Sequence, residues 1–324
     1  MGSLGAIVTC VLLKNVEIVV TGDAPTAFRQ IFFCNHQTFL DWWFLGLYAW
    51  HQGSIEGLTI ILMDVLKYVP FFGWLTWFAG FIFLKQKWAV DERKFKGALR
   101  TLSKRSRDPL LLIIFPEGLL VHPKNLNSAR EYLEKQKVEA PPGTYIPRAP
   151  KHVILPRSKG LRTCIQELGT EGSTSGLDTF VDVTMGYWPS SRGFETGIYP
   201  HDSVGPLSVF GDGTSAVLTR VCLDFRVMTG PNSMMNLNQL SELDFDGWLK
   251  KRWELKDDLM EYFHEKGQFD GFVGCENLEG GAVSSSTVSV TRFKIVPKFM
   301  DFVRVLGAFV VLWGIIAGAT LNGR

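Results

Sequence analysis

The segment of residues 31–43 constrains this chain more than any other stretch. An apolar run leads into Asn35 and His36, and a single acid, Asp41, follows five residues after the histidine among aromatic and aliphatic side chains. A carboxylate in such surroundings is costly unless a partner pairs with it, and His36 is the nearest candidate. If a strand ends before His36 and a helix carries Asp41, the acid holds one imidazole nitrogen. The other nitrogen then faces outward as a base.

A histidine held by a carboxylate is the base-and-orienter half of a catalytic triad, without its serine or cysteine nucleophile. An enzyme built this way deprotonates a hydroxyl group that the substrate brings. Two other interpretations stay open from these residues alone. His36 is a structural residue beside an apolar helix, or Cys34, on the same face of the extended segment, is a nucleophile. The second is the weaker one, because a free cysteine in an apolar strand is usually a packing residue.

Four motifs in order resemble those of the glycerolipid acyltransferases. Residues 35–41 are similar to the NHxxxxD motif of that family, and residues 80–86 (GFIFLKQ) to its second motif. Residues 115–118 (FPEG) resemble the third motif, and residues 153–157 (VILPR) resemble the fourth. One such motif is weak evidence, whereas four in the family's order are specific.

The resemblance extends over about residues 20–270 and is strongest to the lysocardiolipin and lysophosphatidylinositol acyltransferase branch. The additional stretches that carry it are residues 66–74, 156–160, 248–253 and 256–259. It implies an O-acyltransferase that moves a fatty acyl group from acyl-CoA to the free hydroxyl of a lysophospholipid. The acceptor would be lysophosphatidylinositol, lysocardiolipin or lysophosphatidic acid, in phospholipid synthesis or acyl-chain remodelling.

The resemblance also assigns roles to residues. His36 would be the catalytic base and Asp41 its orienter, and the candidate oxyanion donors are backbone N–H groups near Gly118 or at the helix start after Asn35. It implies no metal and no cofactor, with acyl-CoA as a co-substrate and with the lysophospholipid and the bilayer as partners. The expected location is the endoplasmic reticulum membrane, with the catalytic domain facing the cytosol. The expected substrate-binding residues are Lys67, Lys85, Gln86, Lys87, Glu117, Gly118, Pro156 and Arg157.

Two residues depart from the family pattern. The second motif usually ends in arginine, where this chain has Gln86, and the third usually continues with threonine, where it has Leu119. A neutral amide cannot supply an arginine's charge, so Lys85 and Lys87 would have to bind the headgroup. These departures leave an alternative open, namely a membrane-bound pseudoenzyme or lipid-binding scaffold that has lost activity.

The order of elements predicts an α/β fold. A helix over residues 91–107 joins strands at 81–84 and 110–115, and such a βαβ unit requires a partly parallel sheet with helices on its faces. Glu117 then follows the carboxyl end of a strand, where α/β folds bind ligands. Further strands are expected at residues 16–21, 153–155, 180–187 and 217–226, and helices at 39–50, 128–138, 161–168 and 245–263.

Two apolar stretches suggest contact with a membrane. Residues 68–84 carry no charge, but Pro70, Gly73 and Gly80 oppose a continuous spanning helix, so helices lying in the interface are expected there. Tryptophan side chains prefer the depth of the lipid headgroups in a bilayer. The tryptophans expected there are Trp42, Trp43, Trp74 and Trp77. Residues 305–321 are uncharged between basic flanks and are the best candidate for a membrane span.

The expected organisation has four parts. Residues 1–15 are a short apolar amino terminus, interpreted as the remnant of a membrane helix, and residues 16–275 are the acyltransferase domain. Residues 276–298 are a Gly/Ser linker, and residues 299–324 are a carboxyl-terminal transmembrane segment. The net charge of +2 gives no field that would imply nucleic acid, and the five scattered cysteines fit a domain facing the cytosol.

Overall fold

A central sheet organises the computed structural model, which describes residues 16–23, 25, 27–70, 72–169, 179–189, 197–204, 218–270, 272 and 289–294. The sheet has eight strands in the described residues, in the order β4-β3-β5-β2-β6-β7-β1-β8. The strands are β1 (Glu17–Gly22), β2 (Arg29–Cys34), β3 (Leu58–Met63), β4 (Ile82–Leu84), β5 (Leu110–Ile114), β6 (Thr179–Trp188), β7 (Arg220–Val227) and β8 (Val290–Lys294).

Most of the sheet is parallel. β4, β3, β5, β2 and β6 all run in one direction, so their carboxyl ends meet at one edge. β7 is antiparallel to β6, β1 is parallel to β7, and β8 is antiparallel to β1. The expected mixed, mostly parallel sheet is therefore confirmed, and we call its shared carboxyl end the site edge.

Helices cover both faces of the sheet, as expected. They are α1 (Asp41–His51), α2 (Phe72–Phe78), α3 (Trp88–Lys104), α4 (Pro123–Glu139), α5 (Ser158–Leu168), α6 (Pro200–Ser203), α7 (Met234–Gln239) and α8 (Glu242–Lys266). Phe44 and Tyr48 of α1 belong to the core on one face, whereas the core on the other face includes Phe95, Leu161 and Phe263. Helices α1, α3, α5 and α8 thus bury apolar side chains against the sheet.

The middle strands are apolar on both sides because both faces are covered. Every residue of β2 and of β5 is buried, and the neighbours Phe32 and Phe33 enter the two opposite cores. Arg29 begins β2, and its guanidinium donates to the carbonyl oxygens of Leu102, Arg105 and Asp108, at 2.9, 2.8 and 2.5 Å. These bonds satisfy carbonyls around the end of α3 and fix the βαβ crossover.

Two expectations about secondary structure were wrong. Residues 153–155 are not a strand, because the N–H groups of Lys151, His152 and Val153 donate to the Asp257 carboxylate rather than to a neighbouring strand. Conversely, β8 lies inside the range assigned to the linker. It is an exposed edge strand of mostly polar residues, so it lacks the apolar signal of a buried strand.

The apolar stretch at residues 68–84 is divided among short elements. It contains α2, a turn at Gly80 and β4, and within the described residues no helix is long and apolar enough to cross a membrane. The expected membrane segment at residues 299–324, residues 1–15 and most of the predicted linker lie outside the described residues.

Candidate active site

The predicted contact between His36 and Asp41 is present at the site edge. His36 follows β2, and its Nδ1 lies 2.8 Å from Oδ2 of Asp41, the first residue of α1. The asparagine of the motif fixes the intervening turn. Asn35 accepts from the Met185 N–H at 2.8 Å and donates to the Met185 carbonyl at 3.1 Å, which joins this loop to β6.

Asp41 is fully buried and is held by several donors. The N–H of Gln37 lies 2.7 Å from Oδ2, and the N–H of Thr38 lies 3.1 Å from Oδ1. The Tyr187 hydroxyl also donates to Oδ1, at 2.5 Å. A buried carboxylate is stable only with such bonds, and here they fix the orientation that faces the imidazole.

The imidazole is held from two sides. Its ring stacks on Phe115, with centroids 4.4 Å apart, and 21% of the side chain is exposed. With Nδ1 bonded to Asp41, the neutral tautomer that donates there leaves Nε2 as an acceptor. The site therefore has the geometry of a general base oriented by a carboxylate.

Glu117 lies beside this pair as a buried, half-bonded carboxyl group. It follows β5 by three residues and is 1% exposed, and its Oε1 accepts from the Trp253 indole N–H at 3.0 Å. Oε2 accepts no hydrogen bond within the described part of the chain. Burial raises the pKa of Glu117 well above its usual value, and the nearby Trp253 N–H, the backbone N–H groups of His36 and Ile154, and the Lys256 charge partly offset this. A buried acceptor with no partner is a candidate contact for a substrate hydroxyl.

Residues from three motifs meet beside Glu117. The Gln86 side-chain amide donates to the Gly118 carbonyl at 2.8 Å, and the Arg157 backbone N–H donates to the Pro116 carbonyl at 2.8 Å. Gly118 has φ +66°, which favours glycine, and Gln86 adopts φ +61°. The Arg157 side chain is exposed, whereas Pro156 is buried. The structure thus brings the second, third and fourth motifs together.

The predicted lysine ligands have different surroundings. Lys67 is paired with Asp64 at 2.8 Å, while Lys85 and Lys87 are exposed and their side chains form no ion pair within the described residues. Their backbone N–H groups donate to Asp91 at 2.9 and 3.0 Å, which fixes the loop that presents them. The roles of these lysines in substrate binding stay predictions.

Two alternatives raised from the sequence have less support in the structure. Cys34 is fully buried in β2, and burial raises the pKa of its thiol well above the usual value, which disfavours the nucleophilic thiolate. The Gly118 N–H, one candidate oxyanion donor, donates to the Phe115 carbonyl at 3.0 Å. The N–H groups of Gln37 and Thr38 near the start of α1 donate to Asp41.

Sequence reasoning missed Tyr187 and Trp253 as members of this site. They contact Asp41 and Glu117 across separations of 146 and 136 residues. Tyr187 occurs in an apolar strand and Trp253 in an amphipathic helix, so local patterns make both of them ordinary core residues. No short-range signal identifies their partners.

Comparison with known families identifies the class of this chain. Residues 16–185 match the family model described as Acyltransferase, and residues 235–296 match the model described as Acyltransferase C-terminus. The chain therefore belongs to the acyltransferase family.

Its relatives include two groups of lipid acyltransferases. It is 29% identical over 258 residues to a probable 1-acyl-sn-glycerol-3-phosphate acyltransferase 5 of Arabidopsis thaliana, covering 79% of this chain and 60% of that protein. It is 27% identical over 262 residues to lysocardiolipin acyltransferase 1 of Gallus gallus, with the same two coverages, 79% and 60%. The chain thus spans about 60% of the length of these relatives.

Proposed function

We propose that this protein transfers a fatty acyl group from acyl-CoA to the free hydroxyl of a lysophospholipid. The observation that carries the proposal is the His36 imidazole, bonded through Nδ1 to the buried Asp41 and lying beside the half-bonded Glu117. The names of its relatives, which include 1-acyl-sn-glycerol-3-phosphate and lysocardiolipin acyltransferases, support the same class of acceptor.

The proposed chemistry is a direct transfer. Nε2 of His36 takes the proton from the acceptor hydroxyl as that oxygen attacks the thioester carbonyl. The carbon–sulfur bond then breaks, and the imidazolium returns the proton to the leaving thiolate of CoA. Asp41 stabilises the imidazolium between these steps, so no acyl-enzyme and no cofactor is required.

Glu117 and the cations around it are proposed to bind the acceptor. Oε2 of Glu117 accepts a hydrogen bond from the acceptor's glycerol, and Arg157, Lys85 and Lys87 hold its phosphate. An exposed guanidinium presents paired donors to phosphate, whereas lysine acts as a point charge. The extended resemblance favours lysophosphatidylinositol or lysocardiolipin over lysophosphatidic acid.

A bilayer is the proposed partner of the site edge. The turn Asp64–Tyr68 and helix α2 follow β3 at this edge and expose a set of large apolar side chains. Exposed apolar surface of this extent, rich in tryptophan, suits a membrane interface. The set, which we call the aromatic surface, consists of Val65, Tyr68, Val69, Trp74, Leu75, Trp77 and Phe78.

The strand registers also support contact between the site edge and a bilayer. Glu17, where β1 begins, pairs with both Lys294 and Arg220, and Arg220 pairs with Trp188 at the end of β6. The start of β1 and the end of β8 therefore lie at the site edge. The apolar sequences at residues 2–13 and 305–321 are connected to the domain at these two points. We propose that the protein acts on the endoplasmic reticulum membrane, with its catalytic domain facing the cytosol.

Gln86 and Leu119 favour a second candidate, a lipid-binding scaffold without activity. In the structure Gln86 binds the Gly118 carbonyl and so stays part of the site, although it brings no charge. The two candidates differ in one requirement: acyl transfer needs the His36 imidazole, whereas lipid binding by a scaffold does not.

The test is CoA release by the purified protein in detergent micelles, with each of the three lysolipids in turn. Acyl transfer predicts acceptor-dependent release that His36→Ala lowers by about 10²- to 10⁴-fold. A scaffold predicts no difference between the wild type and His36→Ala while both bind liposomes. Release of free fatty acid without an acceptor would identify a hydrolase instead.

A further inference from the structure

Helix α8 carries a buried polar face that the proposed chemistry does not use. Arg252, Trp253, Lys256 and Asp257 are each less than a tenth exposed. Their spacings of one, four and five residues place them on one side of the helix. Because buried polar groups are costly unless they are bonded, their partners show what this face holds in place.

Two of these side chains bind backbone beside the active site. Asp257 accepts from the His152 N–H at 2.7 Å, and the His152 carbonyl accepts from the Gln37 side chain at 3.0 Å. Lys256 donates to the Val183 carbonyl at 2.6 Å, on the strand that carries Tyr187. The polar face of α8 is thus bonded to the segments that surround His36.

The contact of Trp253 is made to Glu117, the side chain that the proposed function assigns to the acceptor. Its Nε1 lies 3.0 Å from Oε1 of Glu117, and the two residues are 2% and 1% exposed. Oε2 of the same carboxylate has no partner among the described residues. Oε1 is therefore fixed by the Trp253 N–H, and the backbone N–H groups of His36 and Ile154 lie close to the same carboxyl group, whereas Oε2 forms no hydrogen bond within the described residues.

We propose that Trp253 is a positioning residue, whose indole N–H orients the Glu117 carboxylate so that Oε2 receives the acceptor's hydroxyl. This inference rests on the proposed function, in which Glu117 contacts the acceptor. Trp253 touches no substrate itself and acts only through Glu117. Because Trp253 lies on α8, the part of the chain that matches the Acyltransferase C-terminus model completes the acceptor site.

The contact also has an electrostatic consequence. The Trp253 N–H lowers the pKa of Glu117 against the larger, opposite effect of burial. The Lys256 charge also lowers the pKa of Glu117, and the Glu117 charge in turn raises the pKa of the Cys34 thiol. Removing the N–H raises the pKa of Glu117 further. The carboxylate that accepts the hydroxyl's hydrogen bond is then lost at a higher pH.

The test compares Trp253→Phe with Trp248→Phe in the full chain. Trp248 lies on the same helix, but its N–H donates to Asn232 at 2.8 Å, away from Glu117. We expect Trp253→Phe to lower kcat/KM for the lysophospholipid by about 10- to 100-fold, mainly through the acceptor KM, because a hydrogen bond to a charged group is lost. The KM for acyl-CoA stays unchanged, and the acid limb of the pH profile moves to higher pH. Trp248→Phe is expected to change neither the acceptor KM nor the pH profile.

The outcomes separate the two claims. An active wild type, with Trp253→Phe and Trp248→Phe equal in acceptor KM and pH profile, overturns the positioning role alone. A wild type that neither transfers acyl groups nor binds lysophospholipid micelles overturns the proposed function and this inference with it. If Trp253→Phe melts well below the wild type, the bond is tested by a double-mutant cycle of Trp253→Phe and Glu117→Ala, measured by thermal unfolding. Coupling between the two changes supports the bond, and additive effects overturn it.

Discussion

Asp41 and the aromatic surface lie at the same edge of the sheet, but Asp41 is a buried charge, whereas the aromatic surface consists of exposed apolar side chains. Asp41 is fully buried, and every bond it makes fixes the orientation of His36. In the aromatic surface, Trp77 and Phe78 are 61% and 79% exposed, although water is a poor solvent for them. Burial of a charge and exposure of apolar rings both oppose stability, and their coincidence indicates function at this edge.

The comparison separates chemistry from attachment. Changes around Asp41 are expected to lower turnover and leave membrane binding intact. Changes in the aromatic surface are expected to do the reverse, because these side chains support little of the core. Each of the following predictions tests this separation.

Asp41→Asn is expected to cause the largest loss, about 100-fold or more in kcat, because the amide no longer holds the imidazole tautomer or stabilises its cation. Sedimentation with liposomes should not change. The matched control is Asp244→Asn, at an exposed position in the first turn of α8. Equal activity of the two variants would remove Asp41 from the mechanism.

Replacing Trp74 and Trp77 together with serine is expected to weaken liposome binding by roughly 100-fold, since each large apolar side chain contributes about 1.5–3 kcal/mol on burial. The effect is measured in a chain that ends before residue 299, which we expect to sediment with membranes on its own and to turn over in detergent micelles. Turnover in micelles should survive the double replacement. Complete release of the truncated chain before any tryptophan is changed would show that the aromatic surface does not bind the bilayer.

Tyr187→Phe is expected to lower kcat by about tenfold with little change in fold, because it removes one donor to the buried Asp41 carboxylate and keeps the ring. Tyr48→Phe, two turns along α1 from Asp41, removes an equally buried hydroxyl and serves as the control. Melting temperatures of both variants are compared with kcat. A loss of activity that follows stability in both would contradict a specific role for Tyr187.

Gln86→Arg is expected to have the smallest effect, a several-fold lower KM for the phosphate-bearing acceptor, because an exposed charge contributes little. Arginine has enough N–H groups to keep the bond to the Gly118 carbonyl and to offer others to phosphate. The readout is acceptor KM across the three lysolipids. An unchanged KM would mean that Lys85, Lys87 or Arg157 already supplies the contact.

The site was predictable where its partners are close in sequence. His36 and Asp41 are five residues apart, so a strand followed by a helix was enough to bring them together, and the apolar run before Glu117 placed it at a strand end. Residues 153–155 were misassigned because a short apolar run ending in proline also fits an extended loop. What holds that loop is Asp257, about a hundred residues away.

Contacts between distant segments were beyond the reach of periodicity. The sequence of β6 shows that it is a strand, but not that it lies beside β2, and only that neighbourhood brings Tyr187 to Asp41. The same holds for Trp253, whose helical position predicts a buried face and not a partner. Loop-closing contacts of this kind follow from topology, which a local pattern does not contain.

The central claim is that His36 acts as the general base in a transfer without an acyl-enzyme. Its most direct test follows radiolabelled oleoyl groups from oleoyl-CoA into phospholipid. The wild type should label the lysophospholipid acceptor, Cys34→Ala should do the same, and His36→Ala should lose about 10²- to 10⁴-fold of the rate. Without an acceptor, no label should stay on the protein. A His36→Ala variant that keeps most of the activity, or label that remains covalently on the wild type, would contradict this mechanism.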